Sequence, residues 1–432
     1  KVRIISGKSP ANSIVKELLR MKDLLEISCE LDVHKEKIVA CILTGPLGKP
    51  THSEIREFST LIPDMIALRD WIVSRNCHHV AMESTGIYWM PIYEILEDAF
   101  SGDITLLVVN ARHMKNVPGK KTDMRDSEWI STLLRAGLLN GSFIPEKRIR
   151  EFRDLNRYRK SIIRDITSQK NRIEKFLQSS GFRLSSFISD IFGASGKNII
   201  LHLIEHGQID RTALDSCLKT KTRNHIDEIL MSVNGTLSEH QKKFLKILMN
   251  HYDSLKEHLN EIEKDLEQDI EPFILQVQQL NSIYGISTTA SCAIIAEIGV
   301  DMKPFKTAEH ICSWAGLCPG NNESAGKRKS TSVTKGNPYI KSMLCEIAWV
   351  IAGKRNTYLS AWYWRIKQKK GAKKAIVALA RKLLVIIYTM LKQGTLFDES
   401  CFEARRKNCE QKQLSRYIRE LEKHGYHVEA QG

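Results

Sequence analysis

This sequence predicts an α/β domain followed by a largely helical remainder, and three observations carry that prediction. Short β-branched and apolar runs alternate with helical spacing as far as Gly137. Beyond about Pro145 the strand signals stop, and apolar residues recur at steps of three and four. The length, 432 residues, exceeds what a single core serves, so two or three domains are expected.

The elements follow in order. Residues 25–44 read as two strands joined by a tight turn at 32–37, with β-branched and apolar residues in both arms. Residues 51–59 form a third strand with polar alternation. Ile62, Met65, Ile66, Leu68, Trp71 and Ile72 give helical spacing over 61–75. A strand at 79–83, a helix at 88–99 and a strand at 104–110 come next. A helix over 122–137 starts near Thr122 or Asp123 and stops at Gly137. The order βββαβαβα with mixed strands fits an RNase H-like layer fold, although alternation alone fits other α/β folds too.

In the middle of the chain, Phe152, Leu155, Ile162, Ile166, Ile173 and Phe176 recur at heptad-like spacing. A cleaner run, Leu245, Leu248, Tyr252, Leu255, Leu259, Ile262 and Leu266, predicts a coiled-coil seam. If that seam is intermolecular it implies oligomers; the alternative is a helical hairpin packing on itself. Residues 179–237 read as shorter helices and loops. Residues 280–299 place a turn at Gly285 before an Ala-rich helix, which resembles a helix-hairpin-helix, with Ser287 where that motif usually has a second Gly. Such a turn presents backbone N–H groups to a phosphate. The expected divisions are 1–144 (α/β), 145–276 (coiled-coil helical), 277–395 (mainly helical) and 396–432 (a C-terminal tail).

Composition narrows the function classes. No stretch of about eighteen apolar residues exists, so no membrane span is expected. The N-terminal residues lack an apolar signal core, and a cytoplasmic location is expected. Ten cysteines include no Cys-x-x-Cys pair, which argues against zinc and for reduced thiols. The net charge is +15, and residues 324–393 hold sixteen Lys or Arg against one acid, Glu346. So lopsided a run favours a polyanionic partner over a merely solvated face.

Four acids stand out against that charge: Asp32 and Glu83 at the ends of apolar runs, and Asp123 and Asp126 in Lys-Thr-Asp-Met-Arg-Asp. Carboxylates at strand ends and on a first helical turn can converge, and Mg²⁺ prefers such oxygen ligands. Paired metal ions can stabilise both oxygens of an in-line phosphodiester displacement. Taken singly, Asp123 and Asp126 could serve the helix dipole, Asp32 a turn, and Glu83 the cap of the next helix. A second constellation runs from Pro319 to Asn337. Ser324 sits there among small residues, beside Lys327, Arg328 and Lys329, which could neutralise phosphate charge. No His or Asp adjacent in sequence offers a triad, and on its own the segment reads as a basic DNA-contact loop more readily than as a nucleophile site.

In this order, the motifs resemble the IS-one-ten family of DEDD transposases, RNA-guided bridge recombinases of insertion sequences. Leu31-Asp32-Val33-His34-Lys35, Met82-Glu83-Ser84-Thr85-Gly86-Ile87-Tyr88 and Lys120-Lys121-Thr122-Asp123-Met124-Arg125-Asp126 match its N-terminal blocks. Trp314-Ala315-Gly316-Leu317-Cys318-Pro319, Ser324-Ala325-Gly326-Lys327 and Lys335-Gly336-Asn337 match its transposase domain, and Ala380-Arg381-Lys382-Leu383-Leu384 a C-terminal block. Ala111 stands where the family often has Pro. The resemblance implies a RuvC-like domain whose tetrad Asp32, Glu83, Asp123 and Asp126 holds Mg²⁺, and a nucleophilic Ser324 in the transposase domain. It also implies a non-coding guide (bridge) RNA, target and donor double-stranded DNA, and a homodimer or homotetramer. Nucleic-acid contacts would fall to Arg112, Lys120, Lys121, Arg125, Lys327, Arg328, Lys329, Lys335, Asn337, Arg381 and Lys382. Two rivals are a Holliday-junction nuclease using metal-activated water and a non-catalytic nucleic-acid-binding regulator.

Overall fold

The computed structural model describes residues 24–83, 86–100, 103–109, 130–139, 141–320, 322–324, 327–330, 332–355 and 357–426. The chain divides into two compact units, Lys1–Ile144 and Pro145–Gly432.

The first unit is built on a five-stranded sheet of order β3-β2-β1-β4-β5. Its strands are β1 (Ile27–Val33), β2 (Lys37–Thr44), β3 (His52–Ser59), β4 (His79–Glu83) and β5 (Thr105–Val109). β1, β2 and β3 form an antiparallel meander, while β4 and β5 join the far side of β1 in parallel. A parallel neighbour needs a crossover, and α1 (Ile62–Ser74) and α2 (Trp89–Ala99) supply the two required. This mixed sheet with its crossovers is consistent with the expected RNase H-like layer.

Alternation along β1 assigns the two faces. Cys29, Leu31 and Val33 join Ile38, Ile42, Val80, Met82 and Val108 in the main core, where Leu68, Ile72, Ile92 and Leu96 of α1 and α2 seal them. Burying each such Leu or Ile contributes about 1.5–3 kcal/mol. The opposite face carries Ser28, Glu30 and Asp32, and a helix at 130–135 (α3) lies against it. Ser28 and Ser131 share a hydroxyl–hydroxyl bond of 2.9 Å. Arg135, 1% exposed, fastens α3 by donating to the carbonyls of Gly45 and Pro46, each at 2.8 Å. The expected helix over 122–137 is seen only in this part; its first turns lie outside the described residues.

In the second unit, α4 (Lys147–Ser179) and α9 (Glu239–Asp269) form an antiparallel hairpin. Arg159 pairs with Glu263 at 2.6 Å, Gln169 donates to the Leu248 carbonyl at 2.8 Å, and Phe176 meets Phe244 edge-on. The apolar stripe of α9 is therefore covered by α4 of the same chain, and carries no argument for oligomers. Met249, not Leu248, is the fully buried residue at that level. A capping box between Ser238 and Gln241 starts α9. Between these long helices lie α5 (Ala194–His206), α6 (Arg211–Cys217), α7 (Thr220–Arg223) and α8 (Ile226–Ser232), as the weak periodicity of that stretch implied.

α10 (Ile274–Asn281) and α11 (Thr288–Ile298) make the second helical hairpin. Gly285 turns it with φ +91°, and a Cβ there would come within 3.2–3.3 Å of Ile351 and Val350 side chains. Ser287 caps α11 by accepting from the Ala290 N–H. After α12 (Ala308–Trp314) and the two short strands β6 (Asn322–Ser324) and β7 (Lys327–Ser330) come α13 (Pro338–Gly353), α14 (Tyr358–Lys370) and α15 (Ala372–Gln393). α15 is the core helix of this end, burying Leu379, Leu383, Leu384 and Ile387. The segment expected as a tail contains α16 (Glu399–Lys423), whose described side chains are almost all exposed. No helix among the described residues is long and apolar enough to cross a membrane.

Candidate catalytic residues

Asp32 lies inside β1, opposite Val39 of β2, so it is not a turn residue. On the other side of β1 the parallel register pairs Leu31 with Met82. One step further along both strands stand Asp32 and Glu83, on neighbouring strands about 4.8 Å apart. Strand alternation turns both toward the face bearing α3, away from the sealed core. Both sit toward the carboxyl ends of parallel strands, where open α/β sheets bind ligands. The Asp32 side chain keeps 30% of its surface exposed and meets the His34 ring nitrogen at 3.0 Å. The next helix, α2, begins with Tyr88 as N-cap and no side-chain cap bond from that residue.

Two half-exposed carboxylates side by side are hard oxygen donors and fit a divalent cation of the Mg²⁺ type. Among the described residues no group of three or more His, Cys, Asp or Glu is assembled as a metal cage. Asp123, Asp126, Arg112, Lys120, Lys121 and Arg125 lie outside the described residues. Two neighbours of Asp32 escaped the sequence reading. Glu30 shares its face and is 1% exposed, and His34 shares its strand parity and touches it. A charged residue inside an apolar run and a His two places after an Asp were the signals.

In the second unit Ser324 ends β6, paired with Lys327 across an antiparallel hairpin whose other strand also holds Arg328 and Lys329. The hairpin is rooted by a ladder of backbone contacts. Gly320 donates to Ser332, Pro319 bridges Val333, Thr334 donates to Cys318, and Asn337 donates to Trp314. At its base Gly316 and Gly336 lie backbone to backbone. A Cβ on Gly336 would fall 2.2 Å from the Gly316 nitrogen, so neither position admits a side chain without displacement.

The remaining expected nucleic-acid residues divide by environment. Lys335 is exposed. Asn337 is engaged inside the fold: its Oδ1 caps α13, accepting from Tyr339 and Ile340, and its Nδ2 donates to Glu297 at 2.6 Å. Lys382 donates to the Tyr358 hydroxyl at 2.8 Å and lies over the Tyr358 and Trp362 rings. The Arg381 carbonyl accepts a weak bond from the Cys312 thiol.

Two family models match this arrangement. One, described as a transposase and built on the IS110 DEDD domain, covers residues 29–181 and so spans all four acids. The other, described as the transposase IS116/IS110/IS902 family, covers residues 277–364 and spans Ser324. The chain belongs to the IS110 (IS-one-ten) family of transposases. Arg381 and Lys382 fall outside both matches.

Individual relatives are distant. The pilin gene-inverting protein of Moraxella bovis is 32% identical over 127 residues, 29% of this chain and 39% of that protein. A proposed transposase of Sinorhizobium fredii, y4qE, is 22% identical over 63% of this chain and 58% of its own length. The transposase for insertion sequence element IS1111A of Coxiella burnetii is 24% identical over 38% of this chain and 45% of its own. The chain thus spans less than two thirds of each of these relatives.

Proposed function

We propose that the protein is a DNA recombinase that moves an insertion sequence by cutting and rejoining strands through Ser324, under the direction of a guide RNA. The observation that carries the reading is the co-occurrence, in one IS110-family chain, of adjacent carboxylates at strand ends and a serine on a basic hairpin. Ser324 Oγ would attack a DNA phosphorus. The Oγ–P bond forms and the P–O3′ bond breaks; the serine proton leaves, and the departing 3′ oxygen takes one up. In rejoining, a 3′-hydroxyl from the partner strand attacks that phosphorus, the P–Oγ bond breaks, and Ser324 recovers its proton.

Asp32, Glu83, Asp123 and Asp126 would hold the divalent cation, Mg²⁺ by donor chemistry, which supplies charge neutralisation at the attacked phosphate. Lys327, Arg328, Lys329 and Lys335 would bind backbone phosphates and so position the duplex without reading its sequence. Sequence choice would come from base pairing of the RNA with target and donor DNA, as in other guided systems. A composite site drawn from two protomers of a dimer or tetramer would bring the acids and the serine together. The decisive test is a denaturing gel for the covalent protein–DNA adduct. Ser324→Ala should eliminate it, and an adduct of undiminished yield would overturn the assignment.

A further inference from the structure

The hairpin carrying Ser324 is tied to the long helix α4 through one buried acid. Glu297, in the last turn of α11, is 3% exposed. Arg157 of α4 grips both its oxygens, at 2.8 and 2.9 Å. Arg153, one helical turn earlier, lies 3.7 Å from Oε2 and donates to the Ala296 and Glu297 carbonyls at 2.9 and 2.7 Å. Burial lowers the Arg153 guanidinium to about 10, which leaves it charged at neutral pH. The third partner is the Asn337 amide, at 2.6 Å.

Asn337 is also where the hairpin closes: its N–H donates to Trp314 at 3.0 Å, and its Oδ1 starts α13. Arg157 lies 4.3 Å over the Tyr339 ring, and Lys160 donates to Ser342 at 2.9 Å, so α4 grips the first turns of α13 as well. A buried ionic cluster of this kind is seldom worth more than a well-packed apolar one, while it fixes geometry more narrowly. The close apposition of Gly316 and Gly336 makes the hairpin root stiff, so displacement of Asn337 is passed along the ladder to β6.

We infer that Glu297 is a positioning residue for Ser324: clamped by Arg153 and Arg157, its carboxylate holds Asn337 and thereby the root of the serine hairpin. This rests on the reading of Ser324 as the nucleophile. Glu297 itself is too deeply buried to touch DNA. Its effect would appear in the rate of the covalent step and not in DNA affinity.

The test uses the full-length protein, co-expressed with the transcript flanking its gene and mixed with duplex carrying that flanking DNA. Adduct formation is followed in single turnover at saturating duplex, beside the duplex Kd and the thermal midpoint. Two variants are compared: Glu297→Gln, and Asn337→Ser, which keeps an N-cap oxygen while losing the amide donor. Both should slow the adduct step at least about 10-fold, with Kd within about twofold of the parent, because small misplacements of a reacting group are costly. Should Glu297→Gln fail to fold, Asn337→Ser decides alone. A parental rate in Asn337→Ser, or a loss that appears only as a raised Kd, overturns the inference. Ser324→Ala in the same assay separates the two ideas: an adduct that survives it overturns the nucleophile and this role together. An adduct that needs Ser324 but forms at the parental rate in the other variants overturns this role alone.

Discussion

The chain holds carboxylates in two opposite settings. Glu297 is enclosed by two arginines and an amide, with every partner supplied by the fold. Asp32 stands half exposed at the carboxyl end of a parallel strand, beside Glu83 on the next strand. A carboxylate whose charge is answered within the protein serves placement. One left accessible at a strand end can still receive a cation. Under the proposed function, burial and partners would separate the positioning acid from the metal-binding ones.

That contrast can be broken by three substitutions, taken from the largest expected effect down. Asp32→Asn removes charge where chemistry is proposed, at a side chain that keeps 30% of its surface exposed. Adduct formation should fall by about 10²–10³ or more, the scale of losing one preorganised electrostatic group. The thermal midpoint should barely move. Retained activity, or a collapse of stability, would place Asp32 with Glu297 as a structural acid.

Glu297→Ala should do the reverse to stability, because it leaves two arginines facing a site without its acid. A loss of about 3 kcal/mol is expected. That corresponds to a fall of roughly 6–12 °C in the midpoint of the second unit, measured by calorimetry. An apolar triple change, Arg153→Met, Arg157→Met and Glu297→Leu, sharpens the point: it should recover much of the stability without restoring the adduct rate.

Gly336→Ala is the mildest of the three. Its Cβ would meet backbone that can yield only by shifting, so about 1–3 kcal/mol of destabilisation is expected from overpacking. Chemical denaturation of the purified variant measures it; an unchanged midpoint would show that the hairpin root is softer than described.

Much of the first unit could be read from its residues, because strand alternation and short β-branched runs report the sheet directly. The pairing that sets Asp32 beside Glu83 was less accessible: it depends on a parallel register, which hydrophobic pattern does not encode. In the α9 stripe a heptad reading selected Leu248, since it favours leucines. The observed helix phase puts Met249 at the seam and leaves Leu248 half buried. Asn337 shows a different limit. A polar residue in a basic segment looks like a phosphate contact, yet its amide serves a helix cap and a buried acid. Its partner Glu297 lies forty positions away, and the clamping arginines lie further off still. Long-range polar pairing leaves no periodic trace in a sequence.

The polar alternation of β3 has a consequence for how this protein behaves at high concentration. Among the described residues β3 is the outer strand of the meander, with β2 on one side of it only. Such an edge invites another chain to add a strand. Here it carries His52, Glu54, Arg56 and Glu57, and Glu54 ties Arg56 and Arg75 across the surface. A strand approaching this rim would have to strip water from a row of charges, so the sheet is guarded against fibre-like stacking where the chain accumulates.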